Sequence, residues 1–161
     1  MHESTVERTL IVYLRVAIGW TFLYAGIHHL LDPSWSVAGF LSHTKTFHDV
    51  YAVFATPAAA PVITFLVNWG HLLIGLSLIS GLMVRVSGVF AILLMLMYWT
   101  AHMDFPYVEN KNSFIIDYHP IYAGVIAYLI AKRAGHIWGL DAWAEKLQFF
   151  KRHPTLRPLF A

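Results

Sequence analysis

The sequence predicts an all-α integral membrane protein: a four-helix bundle with an interfacial segment after the first span and an amphipathic C-terminal tail. Three observations carry that expectation. Hydrophobic residues make up 58% of the 161 positions and charged residues only 12%, whereas soluble domains run nearer a quarter charged. Four apolar runs, at residues 10–31, 61–83, 86–103 and 118–133, are separated by polar or proline-containing breaks, and about 20 apolar residues suffice for a helix to cross a bilayer. Each of the first three runs also carries a face of small or polar residues, which lipid would leave without hydrogen-bond partners, so those faces must meet other helices or a cavity. The length suits one membrane domain, 1–161, better than two. The absence of cysteine excludes disulfides and thiolate metal sites, and the net charge of +2 gives no reason to expect a nucleic-acid partner.

The first span opens after a short polar stretch and is too long for a signal-peptide core, with no small-residue cleavage site after His28-His29. Arg15, Gly19, Phe22, Gly26 and His29 share one helical face, the glycines permitting close helix approach. Arg15, early in the span, is expected to snorkel toward the head groups. Asp32-Pro33-Ser34 ends the helix, because proline cannot continue it. Residues 35–60 interleave Trp35, Phe40, Phe47, Tyr51 and Phe54 with His43, Lys45, His48 and Asp49, the pattern of an interfacial helix or cap.

On the second span Thr64, Asn68, His71 and Gly75 fall on one face; on the third, after a short turn at Arg85, Ala91, Met95, Tyr98 and His102 do. A polar loop follows, with turn-forming Pro106, Asn110 and Asn112. Asp117 is expected to cap the fourth helix, with Pro120 in its first turn. The tail, residues 136–161, sets Trp138, Trp143, Phe149 and Phe150 among Lys146, Lys151, Arg152 and Arg157, and reads as a surface helix touching anionic lipid.

Nine of the eleven lysines and arginines fall on the side of the termini and the Arg85 turn, while Lys45 and Lys111 lie on the other. By the positive-inside rule both termini are expected in the cytoplasm of a multi-pass protein. This topology sorts the ten histidines. His28, His29, His43, His48, His102 and His119 lie at or beyond the outer ends of spans, His71 lies midway along the second, and only His2, His136 and His153 fall inside. Four of them, His29, His71, His102 and His119, come from four different spans at similar depth.

Such a cluster has three chemical uses. Imidazoles on facing helices can ligate haem iron or another metal. A neutral imidazole can hydrogen-bond a quinone carbonyl and pass a proton. Tyr98, one turn before His102, and Trp69, beside His71, would suit a flat aromatic ring, and Asp117 could fix the tautomer of His119 or lead protons outward. Against this, histidine at a span end is commonly a plain interface residue, and Asn68 could simply join helices. A mid-span imidazole such as His71 is costly without partners.

The chain resembles the DoxX/DoxD-like family of small membrane proteins. The resemblance lies in Leu14-Arg15-Val16-Ala17-Ile18-Gly19-Trp20 with Phe22-Leu23-Tyr24-Ala25-Gly26, in the Asp32-Pro33 break, in the stretch from Gly75 to Gly81-Leu82-Met83-Val84-Arg85, and in Tyr98-Trp99. The block from Asn112 to Ala123 and the ending Ala134-Gly135-His136-Ile137-Trp138-Gly139-Leu140-Asp141-Ala142-Trp143 resemble the DoxD type. His71 departs from a glutamate frequent in the second span of relatives. The resemblance implies a four-helix subunit in the plasma membrane of a prokaryote, linked to quinone reduction as in thiosulfate:quinone oxidoreductase, whose membrane subunit is DoxD.

The expectation is therefore a quinone-linked redox subunit working with a partner redox subunit or as a homo-oligomer. His71, His102, His29, Asn68, Tyr98 and Trp69 would surround the cofactor, while His119 and Asp117 handle protons. Haem b is the second candidate cofactor, with His71 and His102 as its metal ligands. The competing expectations are a non-catalytic anchor or assembly subunit and a small-molecule or metal transporter, the latter disfavoured by the lack of an internal repeat.

Overall fold

The computed structural model describes residues 4–105, 107–108 and 113–160. His2, Pro106, Asn110, Lys111 and Asn112, which entered the sequence reading, lie outside them. Three helices are long and apolar enough to cross a membrane: α1 (Thr5–Leu31), α4 (Ala60–Ser80) and α5 (Val84–His102). Between α1 and α4 lie two short helices, α2 (Val37–Leu41) and α3 (His48–Phe54). After α5 come a two-strand hairpin, β1 (Met103–Asp104) with β2 (Tyr107–Val108), and then α6 (Tyr118–Ala131). A 3-10 turn (Ala134–His136), α7 (Asp141–Ala144), α8 (Gln148–Arg152) and a last 3-10 segment (Pro154–Leu159) complete the chain.

The boundaries follow local chemistry. The Ser4 hydroxyl accepts from the Glu7 amide and starts α1 five residues before the apolar run. Asp117 caps α6 as expected. That helix stops at Ala131, so it has 14 residues and reaches about 21 Å, short of a bilayer core of about 30 Å. The bundle therefore has three full spans and a shorter fourth helix. Residues 35–60 form two short helices rather than one. The tail is likewise no continuous surface helix: it breaks into short turns, and Asp141, Ala144 and Phe160 are buried.

The helical faces read from the sequence are the buried ones. Arg15, Gly19, Phe22 and Gly26 point inward from α1, and Asn68, His71 and Gly75 from α4. These two helices run against each other with almost no spacer. A β-carbon on Gly26 would stand 2.6 Å from the Leu72 amide nitrogen, and one on Gly75 would run into the Leu23 backbone. Ile18, Leu78, Ala91, Ile126 and Leu129 fill the common core, while the outward sides of the spans, such as Trp20, Phe65, Leu73 and Phe90, stay apolar and uncovered, as a lipid-facing surface requires.

One end of the bundle, the terminal end, holds the start of α1 and the α4–α5 turn. Here Arg15 corrects the expectation of snorkelling: it is only 2% exposed. Its Nη1 donates to the carbonyls of Ala134 and Ile137, and Nη2 donates to that of Trp138. Gly81, at φ 70°, and Gly139 leave room for the guanidinium, which stands 2.6 Å from where either β-carbon would be. Asp141 completes this end by accepting the amides of Met83 and Val84 at 2.6 and 3.3 Å, the N–H groups that open α5. Burial pushes the Asp141 carboxyl above the usual aspartate range, against the lowering effect of those amides.

The opposite end is closed by α2, α3 and the hairpin, and is the cap end. The Val37 amide donates to Thr64 Oγ1 of α4, the Tyr51 hydroxyl donates to the Met97 carbonyl, and the Thr46 amide donates to the Met103 carbonyl. Lys45 pairs with Asp104 across this end.

Candidate functional site

Under the cap, the four main helices do not close on one another. They leave a cavity of about 510 Å³, inside the range of about 300–1,000 Å³ usual for small-molecule sites. α1 contributes Thr21, Phe22, Ala25 and His29, α4 contributes His71, and α5 contributes Met95, Tyr98 and His102. α6 adds Tyr118, His119 and Tyr122, and the cap adds Trp35, Val37 and Phe40 as a roof.

The rings touch in an unbroken series. Trp35 stacks on His29 at 3.8 Å between centroids, and His29 meets His71 edge-on at 5.2 Å. His71 lies 5.8 Å from Tyr98, Tyr98 lies 5.7 Å from His119, and His119 stacks on His102 at 5.3 Å. Phe40 closes the series from above, edge-on to both Tyr98 and His102. A wall of ring faces interrupted by a few polar atoms suits a flat, conjugated guest.

Two of the imidazoles are held in a defined proton state. His71 Nδ1 lies 2.8 Å from the Val67 carbonyl of its own helix. A carbonyl only accepts, so Nδ1 carries the proton and Nε2 of the neutral ring presents a lone pair. His119 is fixed in the same sense by Asp117. The carboxylate accepts the His119 backbone amide on Oδ1 at 3.0 Å and His119 Nδ1 on Oδ2 at 2.8 Å. Both residues are buried, at 5% and 3% exposure. One capping residue thus starts α6 and orients the ring two positions later, the carboxylate–imidazole arrangement that favours a protonated ring once Nε2 takes a proton. His29 differs: its Nδ1 is buried with no hydrogen-bond partner among the described residues.

Of the residues expected at the site, His29, His71, His102, Tyr98 and His119 line one cavity, with Asp117 directly behind His119. Asn68 does not line it. The residue is buried one turn before His71, and its Oδ1 lacks a partner among the described residues. Trp69 is a correction. Two residues before His71 it points about 200° away around the helix, is 42% exposed and packs on Phe65 on the outward side. Sequence reasoning missed Trp35, Phe40, Tyr118 and Tyr122 as lining residues. The last pair carried a usable signal: with His119 between them, an i, i+4 couple shares its face. Among the described residues, no three histidine, aspartate or glutamate side chains come together as a metal-ion cluster.

The chain matches the DoxX family over residues 10–103, from the first span through the end of α5, a stretch that includes His29, His71 and His102 and stops before Asp117 and His119. No curated protein and no solved structure matches it. The family match covers more than half of the chain, and its helices, cap and packing are those of a small membrane protein: it belongs to the DoxX family.

Proposed function

We propose that this DoxX protein is a quinone-linked redox subunit that holds a quinone ring in the cavity under the cap. The observation that carries this reading is the convergence of four histidines, from four helices, on one aromatic-walled space of about 510 Å³. A quinone supplies two-electron, two-proton chemistry when bound. Tyr98, Phe40 and Trp35 offer ring faces to a planar guest. His71 and His119 offer Nε2 lone pairs that accept from the hydroxyls of its reduced form, and Asp117 stabilises His119 whenever that ring holds a proton. A proton taken up on His119 Nε2 would be held by the Asp117–His119 pair. The same Nε2 atoms are the type of ligand that haem iron takes, but the space is walled by ring faces as for an organic ring.

The electron donor, a partner redox subunit or a second copy of the chain would act at the cap end. The excess of lysine and arginine at the terminal end supports a plasma-membrane placement with both termini in the cytoplasm, and a thiosulfate:quinone oxidoreductase type of complex is the activity to assay first. The test is a lipid extract and a visible spectrum of detergent-purified protein. Bound quinone that disappears in His71→Leu is the expected result. A sample without quinone overturns the reading, and a Soret band lost in His71→Leu and His102→Leu would replace quinone by haem b.

A second reading, a non-catalytic anchor or assembly subunit, is favoured by one feature. The cap end exposes Phe47, Val50, Val53, Phe105, Phe114 and Ile116, an apolar surface of the kind that binds partners. It expects complex formation to survive His71→Leu and His102→Leu and to fail when Phe47 and Phe105 become serine.

A further inference from the structure

The polar atoms of the cavity wall are unequal in a way that bears on which form of a guest they hold. Three of them have already given their proton to the protein. His71 Nδ1 donates to the Val67 carbonyl at 2.8 Å, His119 Nδ1 donates to Asp117 at 2.8 Å, and the Thr21 hydroxyl donates to the Ile18 carbonyl at 2.7 Å. What each has left to offer a guest is a lone pair, on Nε2, Nε2 and Oγ1 respectively. The tyrosine hydroxyls of the wall can turn to donate or accept, and the imidazoles of His29 and His102 can do the same by changing tautomer, so these groups do not discriminate. The fixed part of the wall therefore asks for donors. Resting on the quinone reading above, we propose that the cavity is built for the reduced, two-hydroxyl form of its ring guest, whose O–H groups donate to Nε2 of His71 and of His119.

Two carbonyl oxygens facing the same two nitrogens would set lone pair against lone pair, leaving buried acceptors without a donor. A preference for the hydroquinone of at least about tenfold over the quinone follows, since a factor of ten corresponds to about 1.4 kcal/mol.

Asp117 makes the idea testable at one atom. Oδ1 is already committed to the His119 backbone amide. In Asp117→Asn the amide oxygen keeps that place, and the NH2 group takes the place of Oδ2, facing Nδ1. Two donors cannot share that contact, so Nδ1 must accept and the ring proton moves to Nε2. The wall then has one donor and one acceptor, and the preference for the hydroquinone collapses toward equality.

The experiment titrates the full-length protein in detergent, under anaerobic conditions, with a short-chain benzohydroquinone and, separately, with the matching benzoquinone. Calorimetry reads both affinities for the native chain and for Asp117→Asn, and nitrogen-15 spectra of labelled histidine read the tautomer directly. The expected results are a preference of at least about tenfold for the hydroquinone in the native chain, its loss in the variant, and a protonated Nδ1 that becomes a protonated Nε2. Equal affinities, or tighter quinone, in the native chain overturn the proposal while leaving the quinone site standing. Failure of both forms to bind overturns the site itself. Should Asp117→Asn not fold, the affinity ratio and tautomer of the native chain still decide the matter.

Discussion

The two ends of this bundle both bury polar side chains, yet they do so for different ends. At the terminal end Arg15 and Asp141 direct their hydrogen bonds at backbone of the same chain: three carbonyls in one case, two amides in the other. At the cap end His71 and His119 turn one nitrogen to the protein and leave the other to a cavity. The first arrangement satisfies loose backbone groups where a turn and a helix start meet. The second fixes a ring without exhausting it. Burial of a charge, taken alone, would have ranked Arg15 as the more suggestive residue, and it is the structural one.

The α1–α4 contact runs through both ends, so breaking it should have the largest effect. A side chain at Gly75 meets backbone, which cannot swing aside as a rotamer can. Gly75→Val is expected to cost more than about 4 kcal/mol, the exceptional range for one substitution. Thermal unfolding in detergent should find little folded protein, and a transition close to the native one would show that α1 and α4 have slack. Next comes the terminal end. Arg15→Met strands the carbonyls of Ala134, Ile137 and Trp138 and should cost about 2–4 kcal/mol, from unpaired buried acceptors at about 1–3 kcal/mol each, less the relief of a buried charge. The sharper measurement is amide exchange, in which residues 134–141 should open in the variant while the cap end keeps its protection.

The cap end should respond in the opposite manner. His71→Leu keeps volume and apolar contact with Phe22, so stability should change by less than about 1 kcal/mol, as for a volume-conserving swap. Hydroquinone affinity should nevertheless fall about tenfold, roughly the worth of one hydrogen bond. Trp69→Leu, on the same helix but facing outward, should leave affinity unchanged. If the two substitutions weakened binding equally, the contrast between a binding end and a supporting end would fail.

How much of this was legible beforehand depends on the range of the interaction. Periodicity is local, and it identified the buried faces of α1, α4 and α5 and the capping role of Asp117 correctly. Adjacency is a poorer guide: Trp69 looked close to His71 along the chain, but a helix turns about 100° per residue and carries the two apart. Arg15 was misread because its partners lie some 120 positions later, at residues 134–138, and nothing in the first span shows that the chain returns there. The tail differs only in its continuity: Trp138, Trp143 and Phe149 stay exposed as a surface tail requires, whereas the breaks between its short helices and the burial of Asp141 and Phe160 are tertiary outcomes. The roof of the cavity, Trp35 and Phe40, likewise depends on α2 docking on Thr64, a contact between segments that no single-helix pattern encodes.

The smallest expected effect concerns Asp141, and it separates the two things that residue does. As an acceptor for the Met83 and Val84 amides it supports the start of α5; as a buried charge it costs free energy. Burial raises its pKa in the folded state above the ordinary value of 3.8. A carboxyl shifted in that direction contributes stability that is fully present below pH 3.8 and is lost as pH rises through its folded pKa, because the unfolded chain ionises more easily. Asp141→Asn keeps an oxygen for the Met83 amide and cannot ionise. Unfolding followed from pH 3.5 to 7 should therefore show the native chain losing ground to the variant as pH rises, by a modest amount because the Met83 and Val84 amides offset part of the cost of burial. If the native chain instead gained on the variant over that interval, the ionised carboxylate would be the favoured form. The amides of α5 and the guanidinium of Arg15 would then outweigh its burial, and the terminal end would be held by charge as well as by hydrogen bonds.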